Sequence, residues 1–326
     1  MKKVLIAILL LGLLPHASAD YIHWVDFRLS APVLRSALEL DMASQGGEQP
    51  LDWIDILALA AAWRGGTGVT VADTQRAAQV LRGDTPPERL PGMAGRYFSY
   101  YRAAYGAALG GLVGHFAIRR TDPQTGEAEW VPAYGLKAFS PIAAGYPWSH
   151  YADFGAQRSY GYARPHLGND ILGALGTPIC AVEGGTVEAL GWNRYGGWRI
   201  GIRSDDRKRY YYYAHLRKDT PYAEGLSVGQ RVQAGDVIGF MGRTGYSAQE
   251  NVNNIETVHL HFGLQLIFDE SQKECDSEIW IDVYPIIELL ASHCSSVARD
   301  PQTGRWERLY PYCDLDAEPL RSAAAR

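Results

Sequence analysis

Four of the nine histidines in this 326-residue chain fall between positions 166 and 261, and one of them has an aspartate close by. His259-Leu260-His261 is the sharpest piece. On a strand, side chains alternate between faces, so the two imidazoles would share one face and Leu260 would enter the core. His166-Leu167-Gly168-Asn169-Asp170 places an imidazole and a carboxylate four residues apart, with Gly168 free to bend the backbone so that both reach one point. His215 ends the β-prone run Tyr211-Tyr212-Tyr213-Ala214.

Taken together these groups suit a catalytic cation. Two histidines and one aspartate would supply three ligands to a tetrahedral zinc ion and leave the fourth position to water, the open arrangement of a catalytic rather than a structural site. Such a metal lowers the pKa of its water from about 15.7 to about 7. The two histidines left over could then carry protons. His23, His115, His150 and His293 stand alone and receive no role; His16 lies in the N-terminal leader.

The elements that must position these residues read as β-structure. From Gly161 to about Phe268, short apolar or alternating runs are cut by glycine turns. The runs are Pro178–Val182, Gly185–Leu190, Trp198–Ile202, Tyr210–Ala214, Gln230–Val232, Val237–Met241 and His259–Leu266. Their spacing predicts an antiparallel sandwich or barrel. Pro285 could open a last helix through Leu290.

Residues 20–120 read as helical instead. Leu51–Trp63 is apolar nearly all round and stops at Gly65-Gly66. Thr70 with Asp73 forms a capping pair, and Phe98, Tyr101, Tyr105 and Ala108 recur at helical spacing. Residues 121–160, broken by Pro141, Gly145, Pro147 and Gly155, read as an irregular connector, and residues 292–326 as a turn-rich tail. The fold class expected is therefore α+β, a helical N-terminal unit followed by an antiparallel β domain with glycine-rich turns.

Residues 1–19 have the pattern of a signal peptide: Lys2 and Lys3, an eleven-residue apolar run over Val4–Leu14, then Ala17-Ser18-Ala19 before Asp20. The expectation is export, to a periplasm or the cell exterior, with no membrane segment left after cleavage. The formal net charge of −5 implies no broad basic surface for nucleic acid. Of the four cysteines, Cys180 lies in an apolar run and reads as core. Cys275, Cys294 and Cys313 allow one bridge whose pairing sequence cannot choose.

The region from Gly161 to about 291 resembles the lysostaphin-type (LytM-type) zinc endopeptidases of peptidoglycan. The motifs that carry the resemblance are His166…Asp170, Ala214-His215 and His259-Leu260-His261-Phe262, with Gly176-Thr177-Pro178-Ile179, Gly235-Asp236-Val237-Ile238-Gly239 and Gly242-Arg243-Thr244-Gly245 between them. It implies a zinc peptidase domain over 161–291 holding one Zn²⁺ per chain through His166, Asp170 and His261. It implies His215 and His259 as catalytic histidines, a tyrosine upstream of the first ligand (Tyr160 or Tyr162) as an aid to the oxyanion, and wall peptides as substrate. Two departures stand out: Val258 precedes the histidine pair where the family usually has proline, and Tyr246–Thr257 forms a longer loop that should alter the groove rim. An inactive peptidase-like scaffold is the alternative, although all five expected residues are present. A lipoyl- or biotinyl-type carrier would need a hairpin lysine, and Pro178 to Arg207 contains none.

Overall fold

The chain is described by a computed structural model covering residues 22–273 and 277–317. The expected leader, 1–19, and Cys275 lie outside the described residues. Four helices come first: α1 (Ala31–Ser44), α2 (Trp53–Arg64), α3 (Val71–Leu81) and α4 (Met93–Leu109). The strands β1 (Val113–Thr121), β2 (Ala128–Leu136), β3 (Trp148–His150), β4 (Gln157–Arg158), β5 (Arg164–Pro165) and β6 (Asn169–Gly173) follow. Then come β7 (Pro178–Cys180), β8 (Gly185–Asn193), β9 (Gly197–Ser204), β10 (Arg209–Ala214), β11 (Arg231–Val232), β12 (Val237–Phe240), β13 (His259–Leu266) and β14 (Ile279–Trp280). Helix α5 (Tyr284–Leu290) and strands β15 (Val297–Arg299), β16 (Trp306–Arg308) and β17 (Tyr312–Asp314) complete the order.

Local chemistry accounts for the helix limits. The Asp52 side chain accepts from Ile54 N at the start of α2, and Gly65, in the left-handed region at φ 62°, closes it. Thr70 and Asp73 form a reciprocal capping box on α3, and Asp73 also takes Arg64 from the end of α2 at 3.0 Å. No helix among the described residues is long and apolar enough to cross a membrane.

An antiparallel sheet in the order β11-β8-β9-β10-β13-β6-β3, with β14 on the far end of β13, forms the body of the second half. Its core face carries Ile171, Ile200, Ile202, Tyr211, Tyr213, Leu260, Phe262 and Leu264, all buried. By the period-two rule the other face receives Asp170, Tyr212 and His261. The pairing of β13 puts His261 opposite Asp170 on one side and opposite Ala214 on the other.

Two segments depart from the sequence reading. Residues 113–136 are not helix followed by irregular connector. They form the β1–β2 hairpin, closed by the expected turn at Asp122–Gly126, where Asp122 N and Gly126 N bond across it. The tail is not merely turn-rich: β15 pairs with β16, and β17 returns to pair with β1. Along β1 and β2 most positions are exposed or only partly buried whichever face they take, so no clean alternation marks them in sequence.

One buried ion pair ties the helical unit to the sheet. Arg209, on β10, donates from Nε to Glu183 Oε2 at 2.7 Å and from Nη2 to Glu183 Oε1 at 3.0 Å. Its Nη1 donates to the carbonyl of Ala107 at the end of α4, at 2.8 Å. Tyr211 adds a hydroxyl donation to Glu183 at 2.6 Å. A Cβ at Gly111 would fall 1.7 Å from Glu183 Oε1, so only glycine lets α4 end this close to the pair. Glu183→Ala leaves the buried guanidinium only the half-exposed Asp206 as a carboxylate partner, at 3.0 Å, and should cost about 2–4 kcal/mol of unfolding free energy, read by urea denaturation; a loss below about 1 kcal/mol would contradict the importance given to this pair.

Candidate metal centre

His166, Asp170 and His261 bring one ligand atom each into a small triangle. His166 Nε2 lies 2.9 Å from Asp170 Oδ1 and 2.9 Å from His261 Nδ1, and the third edge, His261 Nδ1 to Asp170 Oδ1, is 3.0 Å. Asp170 and His261 come from paired positions on β6 and β13, and His166 from the bend just before β6. That bend depends on Gly168: an added Cβ would sit 2.7 Å from the His261 ring and 2.7 Å from Phe262 O.

The donor set fits a zinc ion. Two imidazole nitrogens and one carboxylate oxygen are zinc-type ligands, and Zn–N distances of about 2.0–2.1 Å imply tetrahedral edges of roughly 3.3 Å, close to the triangle found. Each ligand is also oriented from behind. His166 Nδ1 faces Asp153 Oδ2 at 3.2 Å and the Asp153 carbonyl at 3.3 Å, which places the proton on Nδ1 and leaves the Nε2 lone pair facing the triangle. Arg158 Nη2 donates to Asp153 at 2.7 Å and to Asp170 Oδ2 at 3.0 Å, leaving Asp170 Oδ1 to face inward. Burial pushes the Asp170 carboxyl upward, but the adjacent His166 and His261 imidazoles reverse this and hold it well below the usual range. Burial lowers His261 despite the opposing pull of Asp170.

His215 and His259 stand beside the triangle. Their ring centroids are 4.7 Å apart, and His215 lies 5.9 Å from His261. His215 Nδ1 donates to Thr244 O at 2.9 Å and His259 Nδ1 to Thr257 O at 2.9 Å, so in each ring Nε2 is the nitrogen left for the site. The His259 Nε2 is 3.8 Å from Asp170 Oδ1. Burial, then the nearby His259 and His261, hold the His215 pKa well below its ordinary value. His215 also adopts φ 60°, a left-handed conformation costing about 1–2 kcal/mol in a residue with a Cβ, which turns the chain just where β10 ends.

A groove of about 310 Å³ opens over His166, Asp170, His215 and His261, walled by Tyr195, Tyr212, Tyr246 and Trp280. Tyr160 stacks on Tyr246 at 4.6 Å, and it is Tyr246 that approaches His215, at 5.9 Å. Tyr162 packs edge-on against Tyr195, at 5.8 Å, and is exposed. Tyr246 opens the long loop expected to shape the rim. Asn251 pins that loop, accepting from Trp198 Nε1 at 2.9 Å and from Asp219 N at 2.8 Å.

Sequence reasoning missed Asp153, Arg158 and Tyr246. The first two sit in a stretch without periodic pattern, where no spacing signals their return to the site. Of the histidines given no role, His150 bonds Asn169 at 2.7 Å and Glu288 at 2.8 Å and so braces β6, while His293 bonds Ala138 O at 2.6 Å. Cys180 is fully buried and its thiol is pushed up to about 12 by burial.

Comparison with known proteins gives a consistent picture. Residues 164–274 match the model of peptidase family M23. The L-Ala–D-Glu endopeptidase of Bacillus subtilis is 40% identical over 130 residues, covering 40% of this chain and 38% of that protein. Lysostaphin of Staphylococcus simulans is 37% identical over 98 residues, 30% of this chain and 17% of its own length. The chain thus spans well under half of these relatives. A solved structure from Ruminococcus gnavus, described as a glycyl-glycine endopeptidase lytM, is 25% identical with a TM-score of 0.47, covering 82% of this chain and 91% of that one.

Orientation from behind is the property most open to test. Asp153→Asn should lower zinc affinity about 10- to 100-fold, measured by competition with a chelator; unchanged affinity would remove Asp153 from the account. Residues 164–274, matched by the family model and carrying the converging His166, Asp170 and His261, are a peptidase family M23 domain within a longer chain.

Proposed function

We propose that the chain is an exported zinc-dependent endopeptidase that hydrolyses peptide bonds of peptidoglycan. The observation that carries this reading is the convergence of His166 Nε2, Asp170 Oδ1 and His261 Nδ1 within 3.0 Å of one another beside the imidazoles of His215 and His259. His166, Asp170 and His261 would hold one zinc ion, which supplies Lewis acidity toward water and a peptide carbonyl. The names of the relatives, an L-Ala–D-Glu endopeptidase among them, support cleavage of peptide bonds, and the leader-like residues 1–19 support action outside the cytoplasm, in a periplasm or at the cell exterior.

The remaining chemistry belongs to the chain's own groups. His215 is buried and neutral, fixed through Nδ1 to Thr244 O, so its Nε2 can take a proton from the attacking water. His259, held the same way by Thr257 O, can stabilise the developing oxyanion or return a proton to the leaving amine. Tyr160 supports the oxyanion side through its stack on Tyr246. The walls of Tyr195, Tyr246 and Trp280 orient the peptide and exclude water from its backbone.

Two substitutions separate these roles. His261→Ala should abolish both bound zinc and wall hydrolysis. His215→Ala should keep the metal while reducing the rate by about 10²–10⁴. Metal analysis and mass spectrometry of fragments released from purified walls read both outcomes, and full activity in the His215→Ala protein would contradict the proton-carrying role.

A further inference from the structure

Four cations and two carboxylates, Asp170 and Glu278, line the groove. Most of these charges are spoken for. Arg158 is paired with Asp153 and Asp170. Lys273 is paired with Glu188. Glu278 accepts the Trp280 indole at 2.7 Å. Arg164 lies over the Tyr195 ring at 4.6 Å and donates to Tyr160 O at 2.8 Å.

Arg199 is different. Its Nε is buried and has no hydrogen-bond partner, and among the described residues no carboxylate forms an ion pair with it. The same sheet neutralises its other deep arginines: Arg203 reaches Glu270 at 2.8 Å, and Arg209 reaches Glu183 at 2.7 Å. A buried guanidinium N–H without an acceptor is costly unless a ligand supplies one. Its placement points to the peptide. Ile200 enters the core, so Arg199 projects to the site face. Ile200 pairs with Tyr213, and Ala214 pairs with His261, so Arg199 stands two strands from His261, about 10 Å between backbones at ordinary strand spacing. On the intervening strand β10 the residue between them is the small Ala214.

We propose that Arg199 is a carboxylate-reading residue of this groove, so that the peptide taken carries a free carboxylate within about three residues of the bond cut. This rests on the peptidase reading and narrows it. It favours stem peptides, which bear carboxylates, over a carboxylate-free glycine bridge. A guanidinium binds a carboxylate through two parallel N–H donors, and a carboxamide cannot replace the charge.

The test compares purified wall with the same wall after its carboxylates are converted to carboxamides. The unaltered chain should release fragments from native wall roughly ten- to a hundredfold faster than from amidated wall. Arg199→Gln should bring the two rates within about twofold while zinc content stays unchanged, and Arg199→Lys should keep part of the preference. No preference in the unaltered chain, or a preference that survives Arg199→Gln, overturns the assignment. A binding arm separates this from the peptidase reading. In the full chain carrying His215→Ala, calorimetry with soluble stem-peptide fragments should show the same native-over-amidated ratio, lost on adding Arg199→Gln. If neither wall were hydrolysed but the binding ratio held, the peptidase reading would fail and Arg199 would stand; hydrolysis without a binding ratio would do the reverse.

Discussion

The site depends on the register between β6 and β13. Asp170 and His261 are direct partners across that ladder, and a slip of one residue would turn one of them into the core. The register is fixed from the other face, where Ile171, Leu260 and Phe262 are buried. The same burial that stabilises the sheet therefore aims a carboxylate and an imidazole at one point. His166 joins them because Gly168 lets the chain pass against the His261 ring without a side chain in the way.

Around that triangle the polar groups form successive layers with distinct tasks. Asp153 and Arg158 fix the tautomer of His166 and the free oxygen of Asp170. Thr244 and Thr257 carbonyls hold the protons of His215 and His259 on the side away from the groove. Further out, Arg209 and Glu183 lock the end of α4 against β10, so the helical unit is part of the platform on which the sheet rests. A single continuous apolar core runs from α1–α4 into the sheet and α5.

The strands from Pro178 to Leu266 were legible from the residues, because alternation and glycine turns are strong where one face is buried; β6, which carries Asp170, was read only as a bend at Gly168. The five expected chemical residues were legible for a related reason: His-x-His on a strand and His-x-x-x-Asp across a glycine each imply a shared direction. Helices α2 and α3 were readable from their caps at Asp52, Gly65, Thr70 and Asp73. The β1–β2 hairpin and β17 were not, since a strand such as Val113–Thr121, exposed on both faces along its second half, shows no period. Asp153 and Arg158 were invisible for a different reason. They act through contacts made only after β4 and β5 fold back, and no local pattern encodes that return.

X-ray absorption at the zinc edge, on the purified chain, addresses the centre most directly. The account predicts one zinc per chain with two imidazole nitrogens and two oxygens in its shell, at about 2.0–2.1 Å. It also predicts that one imidazole signal disappears in the His166→Ala protein. A sulfur-containing shell, or a shell unaltered by that substitution, would contradict it.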